Sequence, residues 1–364
     1  MKSILFVLEA SEFGGVEKSL IDLISILKNK ETKITVLSIY QCNKLEQMLS
    51  KGIEYKHIFS RRNIQINRAF KILPPKVLSN VFIRGKYDFI VAYQEGMPTK
   101  LVSGIKGRNT KRYCWQHNDP LYNDNNLYYF LTKDKLLRCL MKFDQCISVS
   151  NYIKNHYKIY LAEKLDISVI YNLIDDVNVR RLSKAVSTNN YPFEKGVKFC
   201  CIGRLSEEKN FISVISTIKK IKDKNFDVNL TIIGSGPEKS NLLKAIKTNN
   251  LEDRVKILDF VDNPYMYMDK CDVVVCSSKV ESFGLVVAEA MILNKCIIST
   301  KCGGPEELLQ GYTNGLLVNS VEDIDGGFYK MQSIKNTDKN NKHESITFPF
   351  SKANVSQNIV ELFS

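Results

Sequence analysis

The amino-acid sequence predicts an α/β protein of two Rossmann-like, doubly wound parallel-sheet domains. Short apolar runs alternate with amphipathic segments along the chain, the rhythm of parallel strands joined by crossover helices. That rhythm breaks in a polar stretch near the middle and then restarts. With 364 residues, the chain is also longer than a single small core can serve.

The first strand is Ile4–Leu8. Glu9, Ser11 and Glu12 follow at once, without a small-residue cleavage site, so this run is too short for a secretion signal. Val16, Leu20, Leu23, Ile24 and Leu27 recur at helical spacing and predict a helix with one buried stripe. Further strands are expected at Ile34–Ile39, Tyr55–Phe59, Asp88–Tyr93, Arg112–Trp115, Gln145–Val149 and Ser168–Tyr171. From Asp175 to Lys195 the chain is polar, contains Ser187-Thr188-Asn189-Asn190 and Pro192, and has little periodicity. The domain boundary is expected there, with a linker at 181–196. The second set of strands is Val197–Ile202, Val228–Ile233, Val255–Leu258, Val273–Cys276 and Cys296–Ser299, with helices near 210–222, 237–248 and 284–293. Residues 334–347 read as a polar loop. Val355, Ile359 and Leu362 predict a terminal helix within Ser351–Phe363. The domains are thus 1–180 and 197–345, and 346–364 are expected to return to the first.

Composition narrows the function classes. No apolar stretch approaches membrane-spanning length. Ten cysteines lack CxxC spacing and read as reduced, mostly buried small hydrophobes. The four histidines do not pair with them at finger-like spacing, so a zinc site is not expected. Charge is uneven: residues 1–192 hold 30 Lys and Arg against 17 Asp and Glu, the whole of the net +13, and residues 193–364 are neutral. A solvated basic face, or a surface for anionic lipid or a phosphorylated acceptor, would each account for this. No recognised nucleic-acid motif is present, and a nucleic-acid partner is not expected.

Ligands of doubly wound sheets bind beyond the carboxyl ends of strands, in a cleft if two such domains face each other. Gly14 and Gly15 stand between the first strand and first helix, where backbone N–H groups can approach an anion. Two glycines alone read first as a plain strand–helix turn. Gly203-Arg204-Leu205-Ser206-Glu207-Glu208-Lys209-Asn210 follows the first strand of the second domain. Arg204 and Lys209 flank the next helix start, as diphosphate oxygens would require. Gly234-Ser235-Gly236-Pro237 has Lys239 where a dinucleotide fingerprint needs its third glycine, so it reads as a tight turn with Pro237 at a helix start. Val261 lies in the loop after strand 255–258 and is a further candidate donor contact. In Glu281-Ser282-Phe283-Gly284-Leu285-Val286-Val287-Ala288-Glu289-Ala290, Glu289 is a carboxylate on an apolar helix, costly unless partnered. Ribose hydroxyls would suit it. Glu281 faces either sugar hydroxyls or the helix dipole. His117, in Trp115-Gln116-His117-Asn118, ends a strand of the basic domain and reads equally as structural or catalytic; His57, His156 and His343 have no such setting.

Taken in order, these segments resemble the retaining glycosyltransferases of family 4, which have the GT-B fold. The resemblance rests on Gly14-Gly15-Val16-Glu17, Trp115-Gln116-His117, Gly203-Arg204-Leu205 with Glu208-Lys209-Asn210, and Gly234-Ser235-Gly236-Pro237. It is completed by Glu281 and Glu289 around Ser282-Phe283-Gly284, and by Gly303-Gly304-Pro305-Glu306-Glu307. It implies that Arg204 and Lys209 hold a donor diphosphate and Glu289 the ribose. Glu281 would meet the transferred sugar, with backbone N–H groups from Phe283 to Leu285 nearby. It further implies Gly15 beside phosphate and His117 beside the reacting sugar.

The expected reaction is glycosyl transfer from a nucleoside diphosphate sugar, UDP favoured, with retention and without metal or other cofactor. Catalytic roles fall to His117, Glu281, Arg204 and Lys209. Donor contacts fall to Gly14, Gly15, Gly203, Arg204, Lys209, Val261, Glu281, Ser282, Phe283, Gly284, Leu285 and Glu289. Cationic side chains and helix N-termini would stabilise the departing diphosphate. A lipid-linked saccharide acceptor at the inner face of the cytoplasmic membrane is expected, with the basic domain on the anionic leaflet. The only DxD, Asp323-Ile324-Asp325, reads as a helix cap rather than a metal motif. A dehydrogenase is disfavoured by the missing glycine. A non-catalytic sugar-nucleotide-binding or scaffold protein is the remaining rival, opposed by the joint presence of His117, Arg204, Lys209 and Glu281.

Overall fold

The computed structural model describes residues 2–10, 12–28, 31–107, 109–122, 125–185, 191–337 and 348–364. The chain divides into two compact units, Met1–Leu173 with Lys352–Ser364, and Ile174–Ser351. The first contains β1 (Lys2–Leu8), β2 (Thr32–Tyr40), β3 (Glu54–Phe59), β4 (Phe89–Ala92), β5 (Lys111–Gln116), β6 (Gln145–Ser148) and β7 (Ile167–Val169). Their order is β3-β2-β1-β4-β5-β6-β7, with parallel pairing. Ile4 pairs with Ile34 on one side and Phe89 on the other. Such a strand is covered on both faces, and Ile4 to Leu8 are all buried.

Helix Gly15–Leu27 buries Leu20, Leu23, Ile24 and Leu27, the stripe its spacing predicts. The terminal helix Lys352–Leu362 belongs to this first unit and packs on helix Gly15–Leu27. Aromatic packing fixes its end: the Phe363 ring meets Phe89 at 5.3 Å and Tyr113 at 5.7 Å. The Tyr113 hydroxyl donates to the Leu362 carbonyl at 2.9 Å.

The second unit contains β8 (Val197–Ile202), β9 (Val228–Ile233), β10 (Val255–Leu258), β11 (Val273–Cys276), β12 (Cys296–Thr300) and β13 (Gly315–Val318). The order is β10-β9-β8-β11-β12-β13, again parallel. The sequence reading has no counterpart of β13: it is four residues long, begins with glycine and, among the described residues, pairs only with β12. Its strand character comes from its partner rather than from local propensity.

Two expectations are corrected by the helices. Asp176–Ser183 is helical, with the Asp175 carboxylate accepting the Asn178 N–H at 3.0 Å. It packs against helices Tyr265–Lys270 and Leu285–Ile292, so the division falls at Leu173/Ile174 and not at 181–196. Residues 186–190 lie outside the described residues. Of the expected polar loop, 334–337 belong to helix Ile324–Thr337, and 338–347 lie outside the described residues. The DxD segment enters that helix, and the Asp323 carboxylate accepts the Ser320 N–H and O–H, each at 3.1 Å, which is a cap.

In both sheets the strand order reverses beside the first strand, at β1/β4 and β8/β11. The loops leaving those strands are therefore where each unit presents its residues.

Candidate functional site

β8 leads into Gly203-Arg204-Leu205-Ser206, then a short turn Glu207–Lys209, then left-handed Asn210 and helix Phe211–Asp223. β11, its neighbour, leads into Ser277, Ser278 and Glu281. Across this junction Lys209 Nζ donates to Glu281 Oε1. The same carboxylate oxygen accepts the Ser278 hydroxyl at 2.7 Å, and the Ser277 hydroxyl donates to the Lys209 carbonyl at 2.6 Å. Burial disfavours the Lys209 ammonium, but the adjacent Glu281 carboxylate outweighs it and holds the pKa above its ordinary value. Arg204 is exposed on the same loop.

Both loops are buttressed from behind. Gly234, with φ +153°, lets the Gly234–Pro237 turn lie against the Arg204 loop: a Cβ there would stand 1.8 Å from the Gly203 carbonyl oxygen. The Leu205 N–H donates to the Ser235 carbonyl at 2.8 Å, and the Glu238 N–H to Leu205 at 2.9 Å. The Gly234-Ser235-Gly236-Pro237 turn thus places the cationic loop. Behind Glu281, its N–H donates to the Cys302 carbonyl and its carbonyl accepts the Gly304 N–H, both at 2.7 Å. Gly304 permits this approach, since a Cβ would fall 2.4 Å from the Phe283 oxygen.

Ser282 is half-buried, Phe283 is buried against Phe350, Gly284 is left-handed at φ +91°, and Leu285 opens helix Leu285–Ile292. Glu289 is buried in that helix and accepts the Tyr265 hydroxyl at 3.1 Å. Part of its need for a partner is therefore met within the protein. Val261 is half-buried after β10, two strands away from β8.

In the first unit, Gly14 and Gly15 are exposed at the start of helix Gly15–Leu27. The buried Glu17 carboxylate accepts the Gly14 N–H at 2.9 Å. Burial, reinforced by Glu9 and Glu12 and opposed by backbone N–H bonds, pushes its pKa up to about 7. His117 is 6% exposed and packs on the Tyr93 ring at 4.9 Å, and its Nε2 has no hydrogen-bond partner among the described residues. Burial lowers its pKa to about 3, so the imidazole is neutral at physiological pH.

Sequence reading missed Ser277 and Ser278, although two hydroxyls directly after an all-apolar strand were a signal. It also gave His156 no setting. The structure pairs His156 Nδ1 with Asp119 at 2.9 Å, and Tyr152 donates to the other Asp119 oxygen at 2.6 Å. A cavity of about 430 Å³ lies at the amino ends of β6 and β7, away from these strand-end loops. Among the described residues, no group of three or more His, Cys, Asp or Glu side chains is gathered as for a metal.

Residues 185–343 match the family model described as glycosyl transferases group 1. The chain is 24% identical over 365 residues to the phosphatidylinositol N-acetylglucosaminyltransferase GPI3 subunit of Saccharomyces cerevisiae, covering 97% of this chain and 80% of the relative. It is 30% identical over 199 residues to the N-acetylgalactosamine-N,N'-diacetylbacillosaminyl-diphospho-undecaprenol 4-alpha-N-acetylgalactosaminyltransferase of Campylobacter jejuni, covering 53% and 52%. Among solved structures, Anabaena HepE in complex with UDP superposes with a TM-score of 0.69 at 21% identity, covering 100% of this chain and 95% of the other.

Proposed function

We propose that this chain, whose residues 185–343 match the group 1 glycosyl transferases and whose fold is GT-B, is a glycosyltransferase with a specific reaction. It moves a hexose or N-acetylhexosamine from a UDP-sugar, with retained anomeric configuration, to a lipid-linked saccharide acceptor in cell-surface polysaccharide synthesis. The observation that carries this reading is the Lys209–Glu281 pair, set beside exposed Arg204 on loops from adjacent strands. Lys209 and Arg204 offer charge to a leaving diphosphate, and Glu281 offers a carboxylate to sugar hydroxyls. In this reading Gly203 and the N–H groups from Ser282 to Leu285 line the diphosphate and sugar. Glu289 takes the ribose, and Val261 borders the base. Gly14, Gly15 and the neutral His117 are kept in this reading as donor-side contacts, His117 as a hydrogen-bond partner and not as an acid.

The relatives' activities support the substrate classes: one acts on a diphospho-undecaprenol saccharide, another on phosphatidylinositol, and a structural neighbour was solved with UDP-glucose. The reaction needs no metal or other cofactor, because cationic side chains already meet the diphosphate. The protein works as a peripheral protein on the inner face of the cytoplasmic membrane, its basic unit toward the anionic leaflet. Among the described residues, no helix is long and apolar enough to cross a membrane.

The deciding experiment incubates the protein with UDP- and GDP-sugars and polyprenyl-diphosphate saccharides, with EDTA, and reads products by mass spectrometry. A mass increase of one hexose or N-acetylhexosamine with a new α-linkage is expected from an α-linked donor. Activity abolished by EDTA and restored by magnesium would overturn metal independence. Donor binding with no turnover under any condition would favour the non-catalytic reading.

A further inference from the structure

We propose that Glu95 is the positioning residue of His117: its carboxylate grips the backbone that carries the imidazole and thereby sets where the ring stands. The inference rests on the reaction proposed above for its consequence in turnover, but not for the contact itself. β4 lies between β1 and β5, so the loop leaving β4 runs beside the loop leaving β5. Glu95 sits on the first of these and is buried. Its Oε1 accepts the His117 N–H, and also the Asn118 N–H at 2.7 Å. Its Oε2 accepts Asn118 Nδ2 at 3.0 Å. One carboxylate therefore takes three donors from two consecutive residues.

A buried carboxylate without partners is strongly unfavourable, and charge-assisted bonds to N–H groups are stronger than neutral ones. Here burial exceeds the effect of these bonds and lifts the Glu95 pKa to about 7. The group is itself anchored. The preceding Gln94 accepts the Glu9 N–H on its side chain and the Thr99 hydroxyl on its carbonyl, both at 3.0 Å. Gly96, at φ +78°, turns the chain into helix Met97–Val102.

Among the described residues, His117 gains no hold of its own through Nε2, which has no hydrogen-bond partner there. Its ring is located by the backbone that Glu95 fixes and by the Tyr93 face. A neutral imidazole acts through one directed hydrogen bond, so small displacement of its backbone costs turnover more than affinity.

The test uses the full chain with histidine labelled in ¹³C and ¹⁵N, in wild-type, Glu95→Gln and Asn118→Ala forms. Glu95→Gln sets an amide NH₂ against Asn118 Nδ2 and removes the charge. The His117 ring resonances should move while those of His57 and His156 stay. The kcat for UDP-sugar hydrolysis without acceptor should fall about tenfold with KM within twofold, and Asn118→Ala should lose about threefold. Unchanged His117 resonances and kcat in a folded Glu95→Gln protein would overturn the proposal. So would equal loss in kcat, donor affinity and melting temperature in both variants, which marks a purely structural carboxylate. If Glu95→Gln does not fold, Asn118→Ala decides by the same readouts. A wild type that neither hydrolyses UDP-sugar nor transfers its sugar to any acceptor would sink the proposed reaction, and the His117 resonances would still decide the positioning.

Discussion

Lys209 and Glu281 are joined through Nζ and Oε1, although 72 residues separate them in the chain. The junction exists because β8 and β11 are neighbours in the sheet, so the loops leaving their carboxyl ends must meet. Two serines hold the pair at opposite ends, Ser277 at the Lys209 backbone and Ser278 at the Glu281 carboxylate. In the proposed reaction this would hold the cation in place before the diphosphate arrives, as electrostatic preorganisation requires.

Removing either cation should reduce turnover strongly. Lys209→Ala and Arg204→Ala should each cost about 3 kcal/mol of transition-state stabilisation, roughly 150-fold in kcat/KM. Steady-state kinetics with the preferred UDP-sugar check this, and wild-type rates in either variant would remove that residue from the reaction.

Ser278→Ala should have a smaller effect, since it frees Glu281 from one of two bonds but leaves Lys209 in place. A loss near 1 kcal/mol, about fivefold in kcat/KM, is expected with little change in melting temperature. A larger loss than that of Lys209→Ala would mean the serine does more than hold the carboxylate.

Gly234→Ala tests the buttress directly. The new Cβ would enter the Gly203 carbonyl at a positive φ, so the Arg204 loop must move or the strand end must strain. At least about 2 kcal/mol of destabilisation is expected, together with weaker UDP binding by calorimetry. Unchanged UDP affinity in a folded variant would separate the Gly234–Pro237 turn from the Arg204 loop.

The buried Glu17 predicts a pH dependence. Its folded pKa, about 7, is raised above the unfolded value, so its contribution is present below about pH 4.5 and is lost as pH rises through 7. Glu17→Gln keeps an oxygen for the Gly14 N–H and carries no charge. It should match the wild type near pH 5 and exceed it in denaturant midpoint near pH 8. A variant less stable at pH 8 would show that the ionised carboxylate stabilises the helix start.

The basic segment predicts lipid binding. Of the apolar residues in the basic stretch 61–86, Phe70 and Leu78 are core, but Ile64, Ile72, Val77 and Val81 are exposed, in a stretch that also exposes Arg61, Arg62, Arg68 and Lys76. Helices Ile64–Ile72 and Pro75–Phe82 thus present charge and apolar surface together. Sedimentation with vesicles should rise with anionic lipid and fall with salt. Changing Arg61, Arg62, Arg68 and Lys71 to Glu should weaken it by about 1 kcal/mol per charge near the surface. Indifference to anionic vesicles at low salt would point to a soluble acceptor.

What could be read in the sequence alone is what is encoded over a few turns or strands. The strands Val197–Ile202, Val228–Ile233, Val255–Leu258 and Val273–Cys276 begin and end where their apolar runs do. The buried stripe of Gly15–Leu27 follows from a period of 3.6 residues. The loops holding Arg204, Lys209 and Glu281 could be picked out because strand ends in such sheets face the ligand side. Tertiary structure alone decided what depends on partners far along the chain. β13 is a strand because β12 offers it an edge, and helix Asp176–Ser183 joins the second unit because its neighbours there cover it. The Tyr265 hydroxyl that meets part of the Glu289 carboxylate's need for a partner comes from another helix, and Glu95 carries no local mark of its hold on His117. Periodicity encodes which face of an element is buried, but a hydrogen bond between two loops exists only once the sheet has brought their strands side by side.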